Sequence, residues 1–416
     1  MCRIVRRSLG GACPPYDTLA AVHPFLPRRS GSIIPSVATN INARCWVEID
    51  LGRLERNLKR IRAALPAHIR YVAVVKADAY GHGLAPTAAR LMRAGADAFA
   101  VANLREAAEI REIGSGWPIL VLSAVLPQED QMLLDYSAMP AVSCLDEVER
   151  FAALGRASGR PFAVHMKIDT GMGRLGVWHE NAPAMYDAIV GNPHLRLDGI
   201  FTHFSSADSC AEYTNTQRER FLAALANMRG LDTANLLIHA DNSAGIESLP
   251  EGGPFNGVRV GLLQFGVLPY KGSLLSNVHA EPVLSLHSRI GLVKTLPKGA
   301  FVSYNRTCKL ERDTRVALIC AGYGDGIPTG MSNRGQVLVR GKRCQILGRV
   351  TMDQIVVNAS ELEDVRVGDI ATFIGEQDGG SISVEEFSAW SGQIPWESYT
   401  SITKRVQRVY RADTAM

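Results

Sequence analysis

The sequence predicts an α/β fold, with an amino-terminal (β/α)8 barrel of the TIM type followed by a carboxy-terminal domain that is mainly β. Three observations lead to this prediction. Short apolar runs alternate with longer amphipathic segments through the first two thirds of the chain, which is typical of parallel strands joined by crossover helices. Several runs end in residues that can do chemistry. Farther along, the helical patterns fade and β segments separated by Gly, Pro and Asp turns take their place.

Residues 1–43 are expected to be a disordered leader or an over-long start, with a transit-type signal as the alternative, because their basic residues accompany no compact apolar run. The barrel is predicted over residues 44–275. Its strand candidates are Tyr71–Lys76, Ala98–Ala102, Pro118–Ser123, Met139–Ser143, Pro161–Ile168, Leu197–His203, Leu236–Ala240 and Val258–Phe265. Helices are predicted over Asn103–Ile113, Cys144–Ala157 and Thr216–Met228. Eight strand–helix units predict a closed barrel, and an open doubly wound sheet is the alternative that the same pattern allows.

The β domain is predicted over residues 276–413. Its β segments are Pro282–Lys294, Phe301–Tyr304, Thr314–Cys320, Gly335–Arg340, Arg343–Leu347, Ile355–Asn358 and Ile370–Ile374. A hairpin is expected at Gly341-Lys342, because a glycine there separates two apolar runs.

Composition narrows the class of protein. The 416 residues are 46% hydrophobic and 21% charged, with a net charge of +4, which suits a large core and does not indicate a surface for nucleic acid. No apolar run reaches the ~18 residues of a membrane span. The eight cysteines form no CxxC pair. Their scatter argues against a metal site and favours free thiols in a reducing, cytoplasmic compartment.

The strongest local signal is VVKADAYGHG, residues 74–83, in which Lys76 closes an apolar strand. Partial desolvation at such a position lowers the pKa of a lysine and makes the amine nucleophilic. An amine of this kind can form a Schiff base with an aldehyde cofactor. The alternative is a lysine that extends its charge to solvent from a surface strand.

This segment resembles the cofactor-lysine segment of bacterial alanine racemases, and the resemblance extends from about Cys45 to Tyr410, nearly nine-tenths of the chain. Further segments that match the family in order are residues 164–176, 201–204, 239–244, 258–261, 302–304, 321–326 and 348–354. The resemblance implies the fold predicted above. It also implies pyridoxal 5′-phosphate at the barrel mouth, bound through Lys76.

The resemblance further implies two catalytic bases, since racemisation removes a proton from one face of the substrate Cα and returns one to the other face. Lys76 is expected on one face. Tyr304 is expected on the other, supplied by the partner subunit of a homodimer with shared active sites. His203 is expected near Tyr304 and near Arg259. Arg259 is expected to face the pyridine nitrogen of the cofactor. An arginine at this place leaves the nitrogen unprotonated, which weakens the ring as an electron sink and favours simple reprotonation of Cα.

The remaining site residues also come from the resemblance. Arg174 is expected near the phenolic oxygen of the cofactor and the substrate carboxylate. Lys167 matches a lysine that is often carbamylated, and a carbamate there would hold Arg174 by a bidentate pair. The cofactor phosphate is expected to bind Tyr80, Ser243, Gly261 and Leu262. Tyr323, Met352 and Asp353 are expected to contact substrate from the partner subunit.

One position departs from the family pattern. Trp396 stands where family members commonly have a tyrosine that contacts the phosphate and crowds the substrate methyl group. The predicted function is interconversion of L- and D-alanine, supplying D-alanine for peptidoglycan. The alternatives are a racemase for other small amino acids such as serine, a non-catalytic carrier of pyridoxal phosphate, and a pyridoxal-phosphate decarboxylase. The β-domain tyrosines argue against a carrier, and Arg259 argues against a decarboxylase.

Overall fold

The computed structural model describes residues 42–249, 252–267 and 278–412. Residues 1–41 of the predicted leader lie outside these ranges, and so does the predicted domain boundary at 275–276. The division into 44–275 and 276–413 therefore stays a prediction. Among the described residues, no helix is long and apolar enough to cross a membrane.

Eight parallel strands close into a barrel, which confirms the predicted fold class. The strands are β2 (Arg70–Val74), β3 (Ala98–Val101), β4 (Ile119–Val121), β5 (Ala138–Val142), β6 (Phe162–Asp169), β8 (Leu195–Phe201), β9 (Leu237–Asn242) and β10 (Gly257–Val260). Their order round the barrel is β2-β3-β4-β5-β6-β8-β9-β10, and β10 pairs again with β2. The short strand β7 (Val177–Trp178) pairs with the end of β6, outside the closed ring.

Helices surround the barrel and pack their apolar stripes on it. They are α1 (Leu51–Ala64), α2 (Leu84–Ala94), α3 (Leu104–Ile113), α4 (Asp130–Asp135), α5 (Leu145–Ser158), α6 (Ala182–Val190) and α7 (Ala211–Ala226). Asn103 caps α3 by accepting hydrogen bonds from two backbone amides of the first turn, so this predicted start is confirmed. The helix predicted from Thr216 begins five residues earlier, because its polar first turn carries little of the apolar periodicity that marks a buried face.

The inner face of the barrel is divided into two halves. On β2 to β5 the inward side chains are aliphatic and belong to a separate core cluster that includes Val72, Ala100 and Leu120. On β6, β9 and β10 the residues at the corresponding alternate positions are polar and buried. They are His165, Lys167, His239 and Arg259. Because buried polar groups require partners, this half must be organised by hydrogen bonds rather than by packing alone.

The eighth strand is shorter than predicted. The run Val258–Phe265 divides into β10 and a 3-10 turn over Leu262–Phe265, separated by Gly261. An apolar run does not by itself distinguish a strand from a buried helical turn. Arg259 consequently lies within the strand and points into the barrel.

The second part of the chain is mainly β, as predicted. Its strands are β11 (Leu284–Leu296), β12 (Phe301–Val302), β13 (Cys308–Lys309), β14 (Thr314–Ile319), β15 (Gln336–Val339), β16 (Lys342–Gln345), β17 (Ile355–Asn358), β18 (Ile370–Gln377), β19 (Gly380–Ile382) and β20 (Gln407–Arg411). Two short helices, α8 (Val384–Ser391) and α9 (Pro395–Ser401), precede the last strand. A hairpin joins β15 and β16 as predicted, but its loop lies one residue earlier than the predicted Gly341-Lys342. Its loop residues, Arg340 and Gly341, both have positive φ, as a type I′ turn requires.

The first strand, β1 (Cys45–Asp50), does not enter the barrel. It pairs antiparallel with β11 and parallel with β20, so it lies inside the sheet of the β domain. Val47 and Ile49 are fully buried there. Apolar alternation shows that a strand is half buried but does not identify its partners. No strand was predicted over these residues, and a local pattern cannot indicate that the segment pairs outside the barrel.

A buried ion pair anchors the end of β9 to helix α7. Arg218 Nη2 donates to Asp241 Oδ1 at 2.8 Å, and both side chains are almost inaccessible to solvent. Breaking such a pair by removing one charge usually costs about 3–5 kcal/mol, because the other charge stays in the protein interior. The pair thus fixes the strand that continues into Asn242 and Ser243.

We expect Asp241→Asn to lower the free energy of unfolding by about 3–5 kcal/mol, measured by urea denaturation. Glu386→Gln is the matched control, since Glu386 pairs with Arg343 at the protein surface and its replacement should cost no more than about 1 kcal/mol. Equal effects of the two substitutions would contradict a special role for the buried pair.

Candidate active site

A cavity of about 310 Å³ opens at the carboxyl ends of the barrel strands, the face at which TIM-barrel enzymes place their chemistry. Eight residues predicted from the sequence line it together. They are Lys76, Tyr80, His203, Ser243, Arg259, Gly261, Leu262 and Trp396. The residues thus come from several strand ends and, through Trp396, from helix α9 of the β domain.

Lys76 begins a turn with unusual backbone geometry. The four residues that follow, from Ala77 to Tyr80, all have φ between 52° and 55°. Left-handed geometry costs a residue other than glycine roughly 1–2 kcal/mol, so the surrounding structure must stabilise this turn. Glu106 accepts hydrogen bonds from the amides of Ala77 and Ala102 at 2.7 and 2.8 Å, and Asp78 accepts one from the amide of Leu84 at 2.7 Å.

Two glycines after the turn allow the β domain to approach it. Gly81 and Gly83 have φ of 80° and 88°. A Cβ atom at Gly81 would overlap the backbone carbonyl of Tyr399, and one at Gly83 would overlap the hydroxyl of Tyr410. Both tyrosines belong to the β domain. The Gly-His-Gly sequence therefore allows the β domain to pack directly against the backbone that follows the lysine turn.

The environment of Lys76 lowers the pKa of its amine. Burial is the main cause, and the positive charge of Arg174 adds to it, while Glu106 acts in the opposite direction. A lowered pKa increases the fraction of neutral amine, the nucleophilic form. Position and charge both suit the Schiff-base role predicted for this lysine.

A cradle for a phosphate group lies beside Lys76. The Ser243 hydroxyl accepts a hydrogen bond from the amide of Gly261 at 2.9 Å. A Cβ atom at Gly261 would lie 2.6 Å from the Tyr80 hydroxyl, so the bare backbone keeps this space open. Hydroxyls and backbone amides of this kind are donors that an anion can use. The residues present therefore fit the phosphate of the predicted cofactor.

Arg259 is held by hydrogen bonds inside the barrel. Its Nη1 atom contacts Nδ1 and the carbonyl oxygen of His239 at 2.8 and 3.1 Å. Its Nη2 atom donates to the carbonyl oxygens of Thr202 and Ala240 at 2.8 and 2.7 Å and contacts His203 Nδ1 at 3.2 Å. Burial lowers the pKa of Arg259 to about 10, so the guanidinium stays charged at neutral pH and acts only as a donor.

His203 accepts from Arg259 through Nδ1, which places its proton on Nε2. Burial, and then the charge of Arg259, lower the pKa of His203 well below its usual range. A neutral imidazole with a donor Nε2–H group therefore stands beside the cavity. This geometry agrees with the predicted link between Arg259 and a phenol.

Lys167 is buried and has an unusual environment. Its Nζ atom has no hydrogen-bond partner among the described residues and lies 4.7 Å from the centre of the Phe201 ring. Burial and the nearby Arg259 and Arg174 lower its pKa well below the normal value. Arg174 lies on the exposed loop after β6. Asp169 shapes that loop by accepting hydrogen bonds from three successive amides.

The β-domain residues predicted to act from the partner subunit do not line this cavity within one chain. Tyr304, Tyr323 and Met352 are 68%, 44% and 51% exposed, although large apolar side chains usually avoid solvent. Tyr304 projects from a turn in which Ser303 and Asn305 have positive φ. The structure thus separates the second predicted base from Lys76.

The loop that carries Tyr323 is joined to the loop that carries Met352 and Asp353. The amides of Tyr323 and Gly324 donate to the carbonyl oxygens of Thr351 and Met352 at 3.0 and 2.9 Å. Arg405 then pairs with both Asp325 and Asp353, at 3.3 and 2.8 Å. Tyr323, Met352 and Asp353 are therefore presented as one surface.

Sequence reasoning missed several residues of the cavity wall. They include Leu122, Met172, Phe204, Ser205, Asp208 and Asn242. Asn242 lies within one of the matched segments, and its side chain accepts hydrogen bonds from the amides of Ala244 and Gly245. It thereby orients the turn that carries Ser243. Asp208 lies on a loop outside those segments, so the sequence offered no signal for it.

Known proteins share this architecture across nearly the whole chain. The family models described as alanine racemase N-terminal domain and C-terminal domain match residues 49–269 and 283–410. An alanine racemase from Halothermothrix orenii is 37% identical over 367 residues, covering 88% of this chain and 96% of that protein.

Two solved structures agree. The alanine racemase from Bacillus anthracis with bound L-Ala-P has a TM-score of 0.80 at 32% identity, covering 91% of this chain and 97% of the other. The alanine racemase from Bartonella henselae with covalently bound pyridoxal phosphate has a TM-score of 0.80 at 25% identity, covering 89% and 100%.

Buried histidines make the fold sensitive to acid. Burial lowers the pKa of His82, His165 and His287 to about 4, whereas an unfolded chain titrates near 6.5. Between these values the unfolded state binds more protons, so the free energy of unfolding falls as the pH falls. The contribution is complete above about pH 6.5 and lost below about pH 4.

We expect urea denaturation to show a loss of several kcal/mol between pH 6.5 and 4, since each pKa unit of each group is worth about 1.4 kcal/mol. His165→Asn removes one of the groups and should reduce the pH dependence. A free energy of unfolding that stays constant across this range would contradict burial of neutral histidines.

Proposed function

The chain belongs to the alanine racemase family, a family of pyridoxal-phosphate-dependent isomerases, and on this premise we propose that it interconverts L- and D-alanine with Lys76 and Tyr304 as the two bases. The observation that carries the assignment of Lys76 is its half-buried amine of lowered pKa, on the wall of a cavity that also contains a phosphate cradle. When bound, pyridoxal phosphate supplies an aldehyde for the amine and a ring that withdraws electrons from the substrate Cα.

The second base must come from another chain if Tyr304 fills this role. Tyr304 is exposed and lies away from the cavity of its own chain, which supports a homodimer in which each subunit completes the active site of the other. In that arrangement Lys76 exchanges a proton with one face of the substrate Cα, and the partner's Tyr304 exchanges one with the opposite face. Tyr323, Met352 and Asp353 would reach the substrate from the same subunit.

His203 would stabilise the basic form of Tyr304, and Arg259 would set the protonation state of the cofactor ring. The ordinary pKa of a phenol, about 10, makes it a weak base at neutral pH. The neutral His203 carries a proton on Nε2, and a hydrogen bond from this group would stabilise the phenolate form. Arg259 carries only donors, so its guanidinium opposite the pyridine nitrogen would keep that nitrogen unprotonated.

Tyr80, Ser243 and the amides of Gly261 and Leu262 would hold the cofactor phosphate. Lys167 is proposed to react with carbon dioxide: the neutral amine adds to the carbon and releases one proton, leaving an anionic carbamate. Its lack of a hydrogen-bond partner and its lowered pKa support this reaction. The carbamate would accept a bidentate pair from Arg174, which would bind the cofactor phenolic oxygen and the substrate carboxylate.

The cell would use the product, D-alanine, for peptidoglycan, and we propose a cytoplasmic location for the enzyme. The six cysteines that the structure describes are free thiols, which supports a reducing compartment.

The direct test is an exchange assay on the purified, pyridoxal-phosphate-loaded protein. We expect equal final amounts of both enantiomers from either L- or D-alanine, measured by chiral chromatography, because a racemase cannot shift the equilibrium between mirror images. Lys76→Ala should abolish both the activity and the visible absorption that pyridoxal phosphate acquires on binding. Absence of exchange in the wild-type protein would refute the function.

Mixing two inactive variants tests the shared site. Lys76→Ala and Tyr304→Phe should each be nearly inactive, but their heterodimer contains one site in which both bases are intact. Random reassociation of equal amounts should restore about a quarter of wild-type activity, since half of the dimers have one working site of two. Each variant dissociated and reassociated alone is the control. No recovery, with heterodimers demonstrated by tagged subunits, would contradict a second base from the partner.

Trp396 is expected to set the substrate size limit. We expect Trp396→Tyr to raise the ratio of kcat/KM for alanine to that for serine by about tenfold, within the range that one small group provides in a pocket. Trp396→Phe has the same six-membered ring as the tyrosine variant but no hydroxyl. Comparing the two variants separates crowding of the substrate from hydrogen bonding to the phosphate. An unchanged ranking of substrates in both variants would show that Trp396 does not determine substrate specificity.

A further inference from the structure

A line of buried histidines leads from Arg259 through the barrel interior, away from the cavity. His239 Nδ1 lies 2.8 Å from Arg259 Nη1, and His239 Nε2 lies 3.4 Å from His165 Nδ1. The side chains of His239 and His165 are 0% and 2% exposed. His165 belongs to the opposite end of the barrel, since it lines a small cavity together with Arg70 and Asp97 near the amino ends of the strands.

The chemistry of the three side chains determines which atom donates and which accepts in each of these hydrogen bonds. A guanidinium has donors only, so His239 Nδ1 must accept from Arg259. The proton of His239 is then on Nε2, and it has His165 Nδ1 as its acceptor. His165 must therefore also carry its proton on Nε2. A single arrangement of protons satisfies all three residues, and it depends on an acceptor at position 165.

The barrel wall is shaped around His165. The register of β6 and β8 shifts between the pairs Val164–Leu197 and His165–Gly199, so Asp198 is an extra residue in a bulge. A Cβ atom at Gly199 would lie 2.5 Å from His165 Cε1 and 2.7 Å from its Nδ1. The imidazole thus lies directly against a bare stretch of backbone, and the negative charge of Asp198 acts on it.

The aromatic ring of Phe201 holds the middle of the chain. It stacks on His239 with 4.9 Å between ring centres and 9° between planes, and the guanidinium carbon of Arg259 lies 5.4 Å from its centre. These contacts restrict the plane of His239 but supply no acceptor for its Nε2–H group. A buried donor without an acceptor is costly, so the acceptor at position 165 decides whether this arrangement is stable.

We propose that His165 is a positioning residue for Arg259, acting through His239. It accepts a hydrogen bond from the Nε2–H group of His239, which keeps His239 Nδ1 directed at the guanidinium of Arg259. The proposal rests on the function assigned to Arg259 above, but the hydrogen-bond chain itself can be measured without activity.

The experiment compares four pyridoxal-phosphate-loaded proteins labelled with ¹⁵N-histidine. They are the wild type, His165→Leu, His165→Asn and Leu120→Ala. Asparagine places an oxygen near the position of Nδ1 and keeps an acceptor, whereas leucine removes it at similar volume. Leu120 lies in the aliphatic half of the same barrel interior and is 2% exposed, so Leu120→Ala controls for a general loss of packing.

In the wild type, ¹⁵N shifts should show His239 as neutral with the proton on Nε2, and this proton should be shifted downfield and slow to exchange with water. His165→Leu should remove the downfield shift, accelerate the exchange, and lower kcat about tenfold with KM within about twofold, a smaller loss than the roughly 100-fold that a misplacement of 1 Å can cause. His165→Asn should preserve both properties within about twofold. Leu120→Ala should lower the melting temperature while leaving the His239 proton unchanged.

A wild-type His239 with its proton on Nδ1 would overturn the proposal, as would a His165→Leu variant with an unchanged His239 proton and unchanged kcat. If Leu120→Ala reproduced the effects of His165→Leu, the role would be structural only. If His165→Leu does not fold, His165→Gln replaces it, because the longer amide reaches the position of Nε2 rather than Nδ1. A wild-type protein that lacks racemase activity would refute the proposed function and leave the spectroscopic result on the chain intact.

Discussion

One charged group constrains the active site from inside the barrel. The guanidinium of Arg259 is buried, remains a cation at neutral pH, and can donate hydrogen bonds but cannot accept them. Every group that contacts it must therefore offer a lone pair, and three backbone carbonyls and two imidazoles do so. The proton positions of His203 and His239 follow directly. These hydrogen bonds stabilise Arg259 and the two histidines in the polar half of the barrel interior.

The lysine turn shows the opposite kind of constraint. Four left-handed residues in succession are unfavourable in isolation, so they persist only because neighbouring elements hold them. Glu106 on α3 and Asp78 within the turn bind backbone amides. The β domain closes on the two glycines behind it. The nucleophilic amine consequently stands on a segment whose geometry belongs to two domains, and helix α9 carries Trp396 into the same cavity.

Much of the barrel side of the site could be predicted from the sequence, because parallel strands bring their carboxyl ends together. Lys76, His203 and Ser243 follow three different strands and meet in one cavity for that reason. Predictions failed where a local pattern does not specify a partner. No strand was predicted over the short alternation of β1, whose local pattern does not reveal its sheet, and the run after Gly261 reads equally as strand or turn. Tyr304 could be connected with Lys76 only through family resemblance, since no contact within the chain joins them.

The position of β1 has a consequence for biosynthesis. Its two neighbours in the sheet are β11 and β20, which begin at Leu284 and Gln407. On the ribosome β1 is therefore made long before either neighbour, and its pairing with β20 must wait until almost the entire polypeptide has been translated. Pairing across such a distance in sequence is slow, and exposed strand edges are the surfaces through which nascent chains associate wrongly. The edge of β1 that faces β20 thus stays unpaired until the end of synthesis, and this edge is where a nascent molecule needs protection from wrong association.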